Sequence, residues 1–362
     1  MALRGNPRAA HQQIAPRQEC PPPAQRTAHR ARLTDGELTC ETTVQFSGWF
    51  ARRGTGIWDG PNSERTEVVG FDPLIGFLLM GRWDGGQLSE QQAELARTWL
   101  GTPSLIADLS WGQVDTKVLH VSTRDRTVIV KAAGPDNHHI GREITAHESY
   151  TSPLVASGRA GGLLRSSRQL NLLVLDYLDG DLVEGTGEEL AESAHAQAGE
   201  LLKLLHGQES RIDDQYEFRV TAKSLAWLDR KHRIDPEVER EARQRLTEYR
   251  PLPIVVVPTH GDWQPRNWIS ENGELRAIDF GRFDFRPAAT DLCRLAVQQW
   301  RKNATLEATF LAGYGGDPRS EVVWRMDLLR EAIGTAVWAH LVGDEMFEAQ
   351  GHQMLGQSLQ RF

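Results

Sequence analysis

Three polar residues with the chemistry of phosphoryl transfer stand close together in the second half of the chain: Asp262, Asn267 and Asp279. Phosphoryl transfer uses one carboxylate that orients the attacking hydroxyl group and accepts its proton. It also uses an amide oxygen and a second carboxylate, which hold the magnesium ions that bridge the nucleotide phosphates. The three side chains supply two carboxylates and one amide, so they predict this chemistry.

Two apolar runs are expected to position these residues. Residues 255–257 are three valines and predict a strand that ends at Pro258, because β-branched residues favour extended backbone. Residues 275–280 form a second extended run, set off from the first by the turn signal at residues 271–273. Two strands joined in this way would hold the loop at residues 260–267 beside the loop that starts at Asp279. The three polar side chains are therefore expected to lie near one another.

The order and spacing of the surrounding residues carry a family resemblance. His260-Gly261-Asp262 is followed after four residues by Asn267, then by Asp279-Phe280-Gly281 and by Asp291-Leu292. This joint motif resembles the signature of the aminoglycoside phosphotransferase family, whose members share the protein-kinase-like fold. Each piece alone has an ordinary explanation: a lone HGD is usually a turn, and Asp291 alone would be a helix N-cap. Independent accidents would not preserve the order and spacing of all the pieces.

The resemblance implies a role for each matching residue. Asp262 would be the catalytic base, and Asn267 and Asp279 would be the magnesium ligands. His260 would shape the catalytic loop, and Asp291 would brace that loop from a following helix.

A second resemblance lies upstream, in the strand predicted for residues 127–132. Its sequence resembles the VAIK pattern, in which a Lys at the end of a strand reaches the α and β phosphates, and this position is Lys131. Glu143, on a predicted helix, stands where the family places the partner of that Lys. An ion pair would fix the long Lys side chain in one direction. The alternatives are a solvated strand-end Lys and an ordinary acid on a helix surface.

Three further residues are nucleotide-binding candidates by resemblance. Gly112 lies between two strands predicted within residues 105–121, where the family's hairpin covers the phosphates, although a Gly in a turn is usually just a turn. Asp176 and Tyr177 follow an apolar strand that would be the hinge between the lobes, so their main-chain groups are candidates for contact with the purine. The end of a buried strand is the ordinary interpretation of both.

Composition and charge narrow the classes of function. The 362 residues are 40% hydrophobic and 25% charged, which is ordinary for a globular protein of two packed lobes. A net charge of −8 argues against nucleic-acid binding through a basic face and favours a cationic small molecule, although such a charge also serves solubility. An acidic cluster near the C-terminus, Asp344, Glu345 and Glu348, is either an ammonium-binding site or a solvated helix face.

The cysteines and the lengths of the apolar runs indicate the cellular compartment. Cys20, Cys40 and Cys293 are scattered and odd in number, so neither a disulfide framework nor a zinc site is expected. No apolar run reaches the length of a membrane span, and no apolar core of secretory length follows the first residues. The sequence therefore favours a cytoplasmic protein without a membrane partner.

Helical spacing of apolar residues predicts helices over residues 188–206 and 288–300. A first helix is predicted from Ser89 to Leu100, with Ser89 as its N-cap.

The predicted fold class is α+β, a protein-kinase-like two-lobe fold. A small sheet-containing N-lobe that binds the nucleotide is predicted for residues 90–177, and a mostly helical C-lobe that carries catalysis and substrate binding for residues 178–362. Residues 1–34 are rich in Arg and Pro and are predicted to be a disordered extension. Residues 35–89 have no legible function; either they lie upstream of a true start at Met80, or they form a small accessory segment that packs on the first lobe.

The resemblance implies an ATP- or GTP-dependent, Mg²⁺-dependent kinase that phosphorylates a hydroxyl group of a small molecule. The acceptor is expected to be an aminoglycoside or another cationic antibiotic, with choline, homoserine or an amino sugar as alternatives. A catalytically silent nucleotide-binding relative is the remaining alternative. Protein kinase activity is not expected, because only twelve positions separate Asp279 from Asp291 and leave no room for a long regulated loop.

Overall fold

The computed structural model describes residues 82–111 and 115–362, all within one unit of the chain. The helices in chain order are α1 Glu90–Leu100, α2 His139–Ser149, α3 Ser152–Ala156, α4 Glu192–His206, α5 Tyr216–Leu228, α6 Pro236–Glu248, α7 Cys293–Val297, α8 Gln299–Lys302, α9 Thr305–Tyr314, α10 Glu321–Val342 and α11 Glu345–Leu359. The strands are β1 Ser104–Asp108, β2 Lys117–Ser122, β3 Thr127–Ala132, β4 Leu163–Ser167, β5 Leu172–Asp176, β6 Asp181–Leu182, β7 Arg211–Asp213, β8 Ile254–Thr259, β9 Trp268–Glu271, β10 Glu274–Ala277 and β11 Asp284–Arg286. Short 3₁₀ turns cover Gly187–Leu190, Pro265–Asn267 and Ala288–Leu292.

An antiparallel sheet in the order β1-β2-β3-β5-β4 forms the first lobe. Alternate residues of its strands point to opposite faces, so each strand contributes side chains to two hydrophobic clusters, one on each face of the sheet. Val128 and Val130 of β3 pack in the cluster that contains Ala93 and Ala96 of α1. Ile129 lies on the other face, in the cluster that contains Ile140 of α2. The sheet is therefore covered on both faces, which fixes the end of β3 where Lys131 lies.

Residues 82–89, whose function the sequence left open, pack on this first lobe. Leu88 is buried in the α1 cluster, and Trp83 lies against it. Ser89 begins α1 as expected, because its hydroxyl accepts from the Gln92 backbone N–H while the Gln92 side chain accepts from the Ser89 backbone N–H. The predictions for residues 1–81 and for Gly112 lie outside the described residues.

The second lobe is mostly helical and is built on close helix pairs. Helices α4 and α9 approach so closely that a Cβ atom at Gly199 would lie 2.2 Å from the backbone oxygen of Phe310, and one at Gly313 would lie 2.1 Å from that of Ala196. Helices α10 and α11 pack around Gly351 in the same way, against Ala336. Within the described part of the chain, no helix is both long and apolar enough to span a bilayer.

The strand pairing predicted around the motif is wrong in one respect. Residues 255–257 lie in β8, which pairs with β7 and β11 and not with the run at residues 275–280. That run forms β10, and its partner is β9, a strand that begins directly after Asn267. The turn between β9 and β10 is the predicted one, with positive φ at Asn272 and Gly273. The residues at 271–273 therefore predicted the turn correctly. They did not identify β9 as the strand that precedes the turn and pairs with β10.

The long helix predicted for residues 288–300 is broken into a 3₁₀ turn and two short helices. The chain leaves helical geometry at Gln298, whose φ of −117° and ψ of −86° end α7. The helix predicted for residues 188–206 likewise starts later, at Glu192, because Ala191 is extended and separates α4 from the preceding 3₁₀ turn.

Candidate active site

A buried three-residue cluster joins the two lobes at Lys131. The ammonium group of Lys131 lies 2.7 and 2.9 Å from the two carboxylate oxygens of Glu143 on α2, and 2.9 Å from Oδ1 of Asp279. All three side chains are buried. Burial alone would lower the pKa of Lys131, but the two carboxylates raise it above its ordinary value, so the Lys stays charged. The cluster therefore carries one positive and two negative groups and attracts a further cation.

An apolar cleft leads to this cluster. Its walls include Ile129 and Leu175 from the first lobe and Ile269 and Ile278 from the second, and Lys131 and Asp279 lie at one end. Such a cleft, apolar with a few charged groups at one end, suits a nucleotide whose base is buried and whose phosphates reach the charges.

The two predicted hinge residues line this cleft in different ways. Asp176 already donates its backbone N–H to the Gly162 carbonyl at 2.9 Å, so that N–H is not available to a purine. Its carboxylate points to the surface and accepts from Arg126. The Tyr177 ring stacks on His120 with 3.9 Å between ring centroids.

The catalytic loop after β8 is held by Asp291. Its carboxylate accepts from the backbone N–H groups of His260 and Gly261 at 2.8 and 2.6 Å, and from His206 Nε2 at 3.1 Å. Gly261 has a φ of +82°, and a Cβ atom there would lie 2.2 Å from the Arg282 carbonyl oxygen, so only glycine fits. Asp291 thus binds the backbone of the loop after β8 and does not serve as a simple helix cap.

His260 supports the same loop from inside. Its Nε2 donates to the Ile278 carbonyl at 2.9 Å, and its Nδ1 faces the backbone N–H of Asp262 at 3.3 Å. Burial lowers the pKa of His260, although Asp291 opposes that shift, so the ring is neutral and carries its proton on Nε2. The His260 ring therefore joins the catalytic loop to the segment that leads into Asp279.

The Asp262 carboxylate is buried at 2% exposure and lies at the centre of a polar network. Asn267 donates through Nδ2 to the Asp262 backbone oxygen at 2.8 Å and to Oδ2 at 3.1 Å. Gln264 donates to Oδ1 at 2.5 Å, and Arg266 donates to Oδ2 at 2.7 Å. Any further group that binds the Asp262 carboxylate must therefore replace one of these hydrogen bonds.

Three arginines surround the same carboxylate. Besides Arg266, Arg282 Nη1 and Arg294 Nε lie 3.6 and 3.5 Å from Asp262 Oδ1. Burial alone would raise the pKa of Asp262, but the three guanidinium groups hold it well below its ordinary range. Asp262 is consequently ionised at any physiological pH, which makes it a weak base and a strong orienting group.

These arginines were not predicted as site residues. Arg266 precedes Asn267 within the motif, and Arg282 follows the DFG triplet directly. Their place inside the motif was the available signal. Arg294 and His206 come from α7 and α4, and only the folded chain brings them to Asp262 and Asp291.

The residues that could hold Mg²⁺ fit that ion. With Nδ2 of Asn267 donated to Asp262, its buried Oδ1 has no hydrogen-bond partner among the described residues. Asp279 has a φ of +64°, a left-handed conformation that Asp tolerates, and its carboxylate faces the cleft. Within residues 82–111 and 115–362, no three His, Cys, Asp or Glu side chains cluster as a metal site. One amide oxygen and one carboxylate are nevertheless a sufficient protein share for Mg²⁺, because nucleotide phosphates and water complete its six ligands.

Fold and site together define a phosphotransferase with a protein-kinase-like fold. The sequence model of the phosphotransferase enzyme family, APH, matches residues 109–324. This match covers more than half of the chain, and the chain belongs to this family. The predicted family and fold class are therefore confirmed.

Solved structures agree on the fold. A thermostable mutant of aminoglycoside phosphotransferase APH(4)-Ia, in a ternary complex with ADP and hygromycin B, has a TM-score of 0.55 at 12% identity over 74% of this chain and 97% of that chain. Choline kinase LicA from Streptococcus pneumoniae has a TM-score of 0.55 at 14% identity over 76% and 100%. Macrolide 2′-phosphotransferase MphH from Brachybacterium faecium has a TM-score of 0.51 at 18% identity over 74% and 98%. No curated protein sequence matches the chain significantly.

Proposed function

We propose that the chain transfers the γ-phosphoryl group of ATP or GTP to a hydroxyl group of a small molecule in a Mg²⁺-dependent reaction. The observation that carries the proposal is a continuous chain of contacts from Lys131 to Asp279, through the segment at Asn267, to Asp262. These are the four positions at which phosphoryl transfer needs a phosphate-binding Lys, two magnesium ligands and a base.

Each residue has a definite part in the reaction. The acceptor oxygen forms a bond to the γ-phosphorus while the bond to the bridging oxygen breaks, and the nucleoside diphosphate leaves with that electron pair. The proton of the acceptor hydroxyl passes to Asp262 and then to water. Bound Mg²⁺ neutralises charge on the phosphates. Lys131, held by Glu143, contacts the phosphates from the first lobe.

The low pKa of Asp262 fits this assignment. In a loose phosphoryl-transfer transition state the acceptor hydroxyl keeps much of its proton, so orientation matters more than base strength. A carboxylate that is always ionised and held by Asn267 supplies that orientation.

The candidates for the acceptor come from the sequence and from the neighbouring structures. The neighbouring structures bind hygromycin B or phosphorylate choline or macrolides, and one holds ADP. Cationic antibiotics, choline, homoserine and amino sugars are the candidates from the sequence. A catalytically silent nucleotide-binding relative is the second functional class, but the presence of Lys131, Asp262, Asn267 and Asp279 together argues against it.

The test is transfer of labelled γ-phosphate by the full chain to a panel of aminoglycosides, macrolides, choline, homoserine and neutral, amino and acidic sugars. A labelled product that requires Mg²⁺ supports the proposal. Nucleotide binding without transfer to any acceptor or to water would favour the silent relative. Absence of nucleotide binding would refute the proposal.

A further inference from the structure

A second cavity, separate from the cleft that leads to Lys131, is lined by neighbours of Asp262. Its volume is about 160 Å³, and it shares no lining residue with the cleft that leads to Lys131. One face of α5 forms a wall, one face of α10 forms the opposite wall, and Gly261 and Arg282 of the catalytic region form its inner end. Arg282, which lines this cavity, has its Nη1 3.6 Å from Asp262 Oδ1, so the cavity and the proposed base share this arginine as a neighbour.

The charges that line this cavity are mostly basic. The charged lining residues are four bases and two acids: Lys223, Arg282, Arg286, Arg330, Asp327 and Glu331. Both acids already have basic partners, Arg330 in the cavity wall and Arg294 outside it. Asp327 Oδ1 lies 3.3 Å from Arg330 Nη1, and Glu331 Oε1 lies 2.6 Å from Arg294 Nη2. A cationic substrate would therefore find no acid here that lacks a partner.

Two of the basic residues, Lys223 and Arg286, are less fully matched by acids than Arg330 is. Arg330 is neutralised by Glu217 at 2.9 Å as well as by Asp327. Lys223, on the cavity face of α5, makes no hydrogen bond or ion pair with any residue in the described part of the chain. Arg286 donates to the Thr259 hydroxyl and the Arg282 carbonyl, and its nearest carboxylate is the half-exposed Asp284 at 3.9 Å.

The protonation of Lys223 agrees with this imbalance. The Lys223 side chain is exposed, and its pKa is lowered to about 8 by desolvation of its ammonium group and by Arg282, Arg286 and Arg142. Positive groups thus crowd this amine, and only Glu331 opposes them. An anion would relieve the crowding, whereas a cation would add to it.

We propose that the acceptor is an acid: a hydroxyl-bearing small molecule whose carboxylate or phosphate group binds Lys223, Arg282 and Arg286. The inference rests on the proposed phosphotransferase function and gives its substrate class. It runs opposite to the expectation of a cationic acceptor drawn from the net charge of the whole chain. The acids Asp344 and Glu348 near the C-terminus do not supply a cation site either. Asp344 caps α11, and Glu348 is buried and paired with Arg233.

Four compounds with one hexose scaffold test the proposal: glucose, glucosamine, glucuronate and glucose 6-phosphate. Each is added to the full chain with ADP and Mg²⁺ at equal ionic strength. The rate of acetylation of Lys223 by acetic anhydride is then followed by mass spectrometry of its peptide. We expect glucuronate or glucose 6-phosphate to protect Lys223 with a dissociation constant at least about tenfold below that of glucosamine. Protection by the first identifies a carboxylate, and protection by the second identifies a phosphate.

Variants give a second measurement by calorimetric titration. Lys223→Met should weaken binding of the protecting anion at least about tenfold, and Lys223→Arg should retain most of it. Lys231→Met changes an exposed Lys outside the cavity and serves as the matched control. Equal protection by all four sugars, protection by glucosamine alone, or no protection would each overturn the inference. ADP binding is titrated in the same samples: its loss would refute the proposed function, whereas intact ADP binding without anion protection would refute only the acidic acceptor.

Discussion

The Lys131 ammonium group lies 2.9 Å from the Asp279 carboxylate, although 148 positions separate the two residues in the sequence. This contact joins the strand β3 of the first lobe to the segment that follows β10 in the second. Glu143 on α2 binds the same ammonium group, so three elements meet at one buried charge. The charges of the proposed nucleotide site are thus held in place by other protein groups, which is how electrostatic preorganisation contributes to catalysis.

The coupling of Lys131 with Glu143 can be measured. We expect Lys131→Met and Glu143→Gln each to raise the KM for ATP at least about tenfold, because the first leaves the buried Glu143 without its cation and the second leaves Lys131 paired with Asp279 alone. The free-energy change of the double variant, calculated from KM, should be smaller than the sum of the changes of the two single variants by about 1 to 3 kcal/mol. Steady-state kinetics of the four proteins gives this cycle, and Lys231→Met is the control. Strict additivity would show that the pair does not act as a unit.

Asp262→Asn should abolish most turnover while the dissociation constant for nucleotide stays within about twofold. Asn keeps the shape and one acceptor oxygen but accepts no proton, and general-base loss costs about 10²- to 10⁴-fold. Single-turnover transfer and nucleotide titration separate the two effects. The exposed Asp214, changed to Asn, is the control. Near-normal turnover of the Asp262 variant would exclude it as the base.

Asp291→Asn should lower both stability and kcat without changing nucleotide affinity. The amide would present a donor toward the N–H groups of His260 and Gly261, and it would lose the charge that binds His206. We expect a loss of about 2 to 4 kcal/mol in the free energy of unfolding, measured by urea denaturation. An unchanged free energy of unfolding with normal kcat would mean that Asp291 does not hold the loop.

Asp327 makes the stability depend on pH. Burial raises its pKa to about 7, partly opposed by Arg330, so the folded state binds a proton that the unfolded state releases near pH 4. This group therefore costs stability progressively as the pH rises from about 4 to 7, and the full cost is present above that range. Asp327→Asn should remove this dependence. The difference between the free energy of unfolding of the variant and that of the wild type should therefore shift in favour of the variant as the pH rises from 5 to 8. Parallel stability curves across that range would contradict the assignment.

The sequence predicted the local parts of the fold well. Residues 127–132 form a strand with the expected ends, and α1 begins with the expected Ser89 cap, because strand alternation and capping depend on neighbours in the chain. It failed where distant segments decide the structure. The partner of β8 and the breaks in the helix predicted for residues 288–300 follow from tertiary packing.

The same distinction applies to the site. The structure brings Lys131, Glu143, Asp279, Asn267 and Asp262 together, as the motif implied, although their catalytic roles stay predictions. The arginines around Asp262 were missed, since no periodicity marks a charge that turns inward toward a carboxylate. The net charge of −8 favoured a cationic acceptor, whereas the charges that line the cavity beside Asp262 favour an acid. Net charge is an average over the surface and does not report the sign of one pocket.

The most direct test is the binding of a non-hydrolysable ATP analogue to the full chain, measured by titration with and without Mg²⁺. With Asn267 Oδ1 and the Asp279 carboxylate as its protein ligands, Mg²⁺ should tighten binding at least about tenfold, or 1.4 kcal/mol. Asp279→Asn should abolish that gain, while Asp214→Asn should keep it. Equal affinity with and without Mg²⁺, or a gain that survives in Asp279→Asn, would contradict the assigned site.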